Sequence, residues 1–146
     1  MTHQRQEIRE AIANRLKEVQ TTAGDNVFTS RAKPLFDQNL PAILVYTTNE
    51  NIKNDEWDVD GYGVRERELE ISIEAVDTGK DDLDNQLDNL ALAIENALDG
   101  WNFPNNLSAI LRFQDTNSDI AIDGNKIYGA IRLNYQMTYR TATNQE

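Results

Sequence analysis

The sequence predicts an α+β fold, a two-layer sandwich in which an antiparallel-rich sheet of four to five strands carries two helices packed on one face. Apolar residues alternate with polar ones over 69–75, a period of two that is typical of a strand lying on a core. Segments 3–20 and 81–99 instead place their apolar residues at helical spacing. The element order is therefore α-β-β-β-α-β-β, and strands joined mostly by hairpins favour two layers.

The first helix is predicted over residues 3–20, with Thr2 as a candidate N-cap. A short strand follows at 27–29, and an irregular connection lies between Pro34 and Pro41. The apolar stripe of this helix is formed by Ile8, Ile12, Leu16 and Val19, supported by Ala11.

Residues 42–48 are an apolar run, which favours a central strand covered on both faces. Residues 49–63 are polar and acidic, and we interpret them as a long hairpin tip leading into a strand at 64–77. The first half of that strand carries charge on both faces, and unpaired charge is costly to bury. We therefore expect this half to project beyond the core, so that the hairpin forms an arm.

The second helix is predicted from Asp81 or Asp82 to about Asp99, with Gly100 ending it. A strand that is bulged or broken at its polar centre is expected between residues 109 and 122. The dipeptide after Asp123 predicts a hairpin turn. In the last strand, 127–140, the side chains expected to face inward are Ile127, Ile131, Leu133, Tyr135, Met137 and Tyr139. Residues 141–146 should form a frayed tail.

Length and charge restrict the class of protein. A chain of 146 residues is expected to form one domain, 1–146. The net charge of −11 argues against nucleic-acid binding and against adhesion to anionic membranes. The chain has no cysteine, which excludes disulfides and thiolate metal sites, and it has no apolar segment of membrane-spanning length.

Catalytic chemistry is not indicated. His3 is the only histidine and is expected to be solvated, so no histidine-based triad or zinc set is available. Residues 56–61 place carboxylates at alternate positions before a glycine, as a calcium-binding EF-hand loop does. The twelfth position of that loop is Arg67, where a glutamate is required. We predict that the protein is not an enzyme and needs no cofactor or metal.

An arm without a core beneath it is the predicted contact surface for another subunit or partner. Trp57 belongs to a residue type enriched at contact centres, although it could instead fold back onto its own domain. Arg65 and Arg67 could pair with the adjacent glutamates or with an acidic face of a neighbouring copy, and reversing their charge should lower assembly more than stability. The predicted interface residues are Asp55, Glu56, Trp57, Asp58, Asp60, Arg65 and Arg67.

The chain resembles the tail terminator family of long-tailed phages, the lambda-type minor tail protein U. The likeness covers most of the chain and runs in chain order. It includes the N-terminal helix, Leu35–Asp37, Leu40–Tyr46, the acidic hairpin tip, the alternating strand Glu68–Glu74, the helix opening Asp81–Asp84 and the final strand Leu133–Tyr139.

The resemblance implies a structural virion protein at the head-proximal end of the tail, present in the host cytoplasm during assembly. It implies a ring of six copies that caps the tail tube protein, stops tube polymerisation and presents the surface that joins a head–tail connector protein. Phage DNA would pass through without specific binding, and carboxylates lining the hole would avoid adhesion.

Three alternatives remain open at this point. A different head–tail joining protein would bind the portal side instead of the tube end. A metal-binding module would use the carboxylates of residues 55–61. An acidic inhibitor imitating DNA would use exposed carboxylates such as Asp81, Asp82, Asp84 and Asp88, would bind a DNA-handling enzyme and would form no ring.

Overall fold

Two helices lie on one side of a five-stranded mixed sheet in the computed structural model, which describes residues 3–30, 39–57, 63–104 and 110–142. The predicted α+β class and element order are confirmed. The elements are α1 (Gln4–Glu18), β1 (Val27–Phe28), β2 (Ala42–Trp57), β3 (Gly63–Gly79), α2 (Leu83–Leu98), β4 (Leu111–Asp123) and β5 (Lys126–Ala142).

The sheet has the spatial order β1-β2-β3-β5-β4. Strand β1 pairs in parallel with β2, and the other neighbours are antiparallel, so the sheet is mixed by one short strand. Helix α1 contacts β1 and β2, while α2 contacts β3 and β5. The single core therefore lies between the two helices and the helix side of the sheet.

Alternation in β3 and β5 supplies the strand half of this core. The inward residues of β3 that the sequence predicts, from Leu69 to Ala75, are almost completely buried, and so are those of β5 from Ile131 to Tyr139. Gly129 lies directly under α2, where an added Cβ would be 2.8 Å from Cδ1 of Leu87. The missing side chain thus lets the helix approach the sheet closely.

The start of α1 differs from the prediction. His3 is the N-cap, and its Nδ1 accepts the backbone N–H of Arg5 at 3.0 Å. Thr2 lies outside the described residues. His3 is partly buried, so the expectation of a solvated end residue was wrong, because the ring is used to cap the helix.

Strand pairing extends further into the arm than the sequence indicates. β2 and β3 pair from Ala42 and Val76 to Trp57 and Gly63, so residues 49–57 are strand and not loop. β5 accompanies β3 up to the pair Val64–Ala142. It thus reaches two residues into the tail predicted as frayed.

Two bulges lie at the same level of the sheet. Register shifts occur between Thr47 and Asn49 in β2 and between Phe113 and Asp115 in β4, which confirms the predicted irregularity in β4. Both lie next to the row in which Ile71 of β3 pairs with β5. Bulges bend a strand and increase its twist. The sheet face opposite the helices, the open face, contains a concavity of about 610 Å³ at this level.

Candidate functional site

The outer part of the β2–β3 hairpin, residues 51–57 and 63–66, is called here the distal ribbon. Every described β2 residue in it is exposed, whereas Ala42 to Tyr46 at the other end of β2 are buried. Pairing with β3, with one register shift between Ile52 and Asn54, holds the ribbon in a defined register despite its polar sequence. The predicted arm is therefore an ordered β-structure that leaves the core and remains accessible.

Three of the predicted interface residues form one contact group on the helix side of the distal ribbon. Asp55 and Arg65 are cross-strand partners, and Arg65 Nε lies 3.2 Å from a carboxylate oxygen of Asp55. The same guanidinium lies 5.7 Å from the ring centroid of Trp57, within cation–π range. Trp57 is 53% exposed, so it does not fold back into its own core.

The remaining predicted interface residues are distributed differently. Glu56 is exposed on the other side of the ribbon, where it accepts a hydrogen bond from the Asn54 side chain at 2.9 Å. Asp58 and Asp60 lie outside the described residues. Arg65 pairs with Asp55 across the hairpin. Glu66 instead pairs with Arg140 of β5 at 3.3 Å.

Arg67 is buried within the subunit. It is 5% exposed and lies beneath the N-terminus of α1, so the expectation that it stands outside the core was wrong. Its Nε donates to Thr141 Oγ1 at 2.9 Å, and its Nη1 donates to Glu50 Oε1 at 2.9 Å. The charge is buried here because a carboxylate is buried beside it.

Glu50 is the centre of this buried polar group, called here the base cluster: His3, Arg5, Glu50, Arg67, Tyr139 and Thr141. One oxygen of Glu50 accepts from Arg5 at 2.8 Å and from Arg67, and the other accepts from the Tyr139 hydroxyl. The cluster ties α1, β2, β3 and β5 together at the point where the distal ribbon begins. It fixes the direction in which the ribbon leaves the domain.

The pKa values in the base cluster reflect these contacts. Burial by itself would raise the pKa of Glu50. The hydrogen bonds from Tyr139 and Arg67 and the charges of Arg5 and Arg67 outweigh it, so the pKa is lowered. Burial and the neighbouring carboxylate raise the pKa of Tyr139. The cluster therefore holds an ionised Glu50 at neutral pH.

Side-chain networks line the open face of the sheet. The Tyr46 hydroxyl donates to Glu74 at 2.7 Å and accepts from Arg132 at 3.0 Å. Ser72 donates to Asn134 at 2.8 Å. The sequence does not reveal these networks, because alternation marks such residues only as outward-facing. Polar groups that satisfy each other make this face polar and not a second apolar core.

Other kinds of site receive no support in the described part of the chain. It contains no group of three or more histidine, aspartate or glutamate side chains able to hold a metal ion. Its helices include none with the length and apolar character required to cross a bilayer. Asp81, Asp82, Asp84 and Asp88 are exposed around the start of α2, as expected for a solvated helix face.

Comparison with known proteins identifies the family. The model of the family described as phage minor tail protein U matches residues 3–139. The chain belongs to this family. Membership makes it a structural protein of a phage virion and confirms the resemblance seen in the sequence. No match was found among curated proteins.

A solved structure shares the fold of this minor tail protein. It is a chain of the virion of a native gene transfer agent particle, with a TM-score of 0.61 and 15% sequence identity. The match covers 92% of this chain and 95% of the other. The structural match over nearly the full length shows that both chains have the same fold, and at this low identity it shows the fold alone.

Proposed function

We propose that this minor tail protein is the tail terminator, which forms a closed ring of about six copies on the end of the tail tube. The observation that carries the proposal is the ordered distal ribbon, with Trp57, Arg65 and Asp55 exposed on one side. A rigid surface of this kind can meet a different surface of the next copy. Such a head-to-tail contact generates a ring when the rotation closes.

In this proposal the ring has a tube-facing and a head-facing side. One side binds the last ring of tail tube protein and prevents further subunits from adding, and the other presents the joining surface for a head–tail connector protein. DNA passes through the centre. Each copy carries a net charge of −11, so a ring provides few of the clustered cations that phosphate binding requires.

The decisive experiment measures tube growth directly. Purified tail tube protein is polymerised from preformed tail tips, and the minor tail protein is added at increasing concentration before imaging by electron microscopy. We expect tubes to stop growing once their free ends carry a ring. Tubes that elongate equally with and without the protein would contradict the terminator role, and binding to the portal side alone would identify a joining protein.

A simpler measurement tests the ring itself. Mass photometry of the purified protein over a range of salt and protein concentrations should show a species of about six subunits, because a closed ring makes one defined size. Trp57→Ala should reduce that species, whereas Leu92→Ala, on an exposed position of α2, is the matched control and should not. Persistent monomers under all conditions would overturn the proposal.

A further inference from the structure

The sheet has two open edges among the described residues. β1 pairs only with Ile43 and Leu44, so no described strand covers the outer edge of β2 from Val45 onward. β4 is the last strand on the other side, and apart from Leu111 all of its residues are exposed. β4 contains neither lysine nor proline, two residues that commonly prevent pairing at an exposed edge, and its register shift lies near its start, between Phe113 and Asp115.

The backbone groups directed outward can be assigned from the register. Gly124 and Asn125 form a two-residue turn, so the pair that closes it, Asp123 and Lys126, exchanges hydrogen bonds. Alternation then directs the N–H groups of Ser118 and Ile120 away from β5. The β2 edge of the sheet leads to the same assignment. Ile43 N–H points away from β3 and donates to the Asn26 carbonyl at 2.8 Å, and alternation across β3 and β5 from this residue again directs the Ser118 N–H outward.

We propose that neighbouring copies in the ring join by main-chain pairing of β4 of one subunit with the open edge of β2 of the next. The inference rests on the proposed ring. Because each neighbour in β2-β3-β5-β4 is antiparallel, β2 and β4 run in opposite directions within one sheet. Copies related by rotation therefore bring the two edges together in antiparallel orientation, in which adjacent strands can exchange main-chain hydrogen bonds.

The side chains of the two edges are compatible on both faces. On the helix side, β4 exposes Ile120 and Ile122, and the outer part of β2 exposes Ile52 and Trp57, each at least half exposed. On the open face, β4 carries Asp115, Asp119 and Asp123, and the open edge of β2 carries Asn49, Asn51 and Asn54. Pairing would bury apolar surface on one side and set amide donors beside carboxylates on the other.

The geometry requires an offset between copies. Asn117 at the centre of β4 lies level with Glu74 of β3, through its pairing with Arg132, whereas Asn51 in β2 lies level with Glu68. The centre of β4 and the centre of the open β2 edge, near Asn51, are therefore displaced along the strands by the length of β3 between Glu68 and Glu74. This length is about 20 Å at ~3.3 Å per residue. In a closed sheet such a stagger is accommodated by tilting the strands against the ring axis.

The test uses a proline at an outward N–H. Ser118→Pro removes an N–H that no described strand of the isolated subunit accepts, so its melting temperature should stay within about 4 °C of the wild type. The protein concentration for half-assembly should rise by at least about tenfold. Ser118→Ala is the control and should assemble normally. A Ser118→Pro protein that folds and forms rings at the wild-type concentration would overturn the inference.

Cross-linking provides a second test that does not depend on the proline variant folding. The chain has no native cysteine, so Ser118→Cys can be combined with Ile52→Cys or Asp55→Cys in turn. Oxidation should give a ladder of covalent multimers for one of these pairs. Rings that form without any ladder would contradict strand pairing while leaving the terminator proposal intact, whereas absence of rings in the wild type would contradict both.

Discussion

Replacing Arg67 by methionine should destabilise the folded subunit strongly. The side chain is 6% exposed and donates to both Glu50 and Thr141, so its removal leaves a buried carboxylate with fewer donors. Breaking a buried ion pair from one side costs about 3–5 kcal/mol. Arg5 and Tyr139 still bind Glu50, which favours the lower end, about 3 kcal/mol. This corresponds to a melting temperature lower by about 6–12 °C for a chain of this size.

Arg65→Met is the matched control, since it removes the same charge two residues away. Its ion pair with Asp55 is considerably more exposed, at 28% and 44% for the two side chains, so the expected loss is below about 1 kcal/mol. Urea unfolding followed by circular dichroism would give both values, at a concentration where the protein is monomeric, because assembly adds its own stabilisation. Equal losses for the two variants would refute the assignment of Arg67 to a buried cluster.

Three further predictions concern pH, packing and assembly. The folded pKa of Glu50 is lowered, so the stability that its carboxylate contributes is complete above the unfolded pKa of about 4.5 and is lost as pH falls through the folded pKa. Glu50→Gln should therefore flatten the dependence of the unfolding free energy on pH below about pH 5, and an unchanged slope would contradict this. Gly129→Ala should cost about 1–3 kcal/mol in thermal unfolding, since its Cβ would meet Leu87 at 2.8 Å, and a neutral result would show that α2 can move away. Trp57→Ala should leave unfolding within about 0.5 kcal/mol while reducing rings in mass photometry, whereas a loss of stability would assign Trp57 to the fold.

Local patterns were sufficient to predict the fold class. The stripes of α1 and α2 and the alternation of β3 and β5 depend on neighbours a few residues apart, so the sequence displays them directly. The hairpin turn after Asp123 is equally local.

The base cluster could not be predicted in the same way. Arg67 continues the inward alternation of β3, but its charge argued for an outward position. The carboxylate that neutralises it comes from β2, and further members come from the start and the end of the chain. The distal ribbon was recognised from its polarity. Its pairing as far as Trp57 was not, because polar strands lack the apolar alternation that identifies a strand.

The bulge in β2 has a consequence for insertions and deletions. Ile43, Val45 and Thr47 lie on the helix side, and an uninterrupted strand would place the residue at 49 there as well. The extra residue, Thr48, shifts the phase by one, so that Glu50 and not Asn49 reaches Arg67. Deleting Thr48 would remove the bulge and leave Asn49 opposite Glu70 and Glu50 opposite Leu69, so Glu50 would still reach Arg67. A family member lacking this one residue would keep its acidic partner on the helix side, whereas loss of a second residue would turn that partner to the open face.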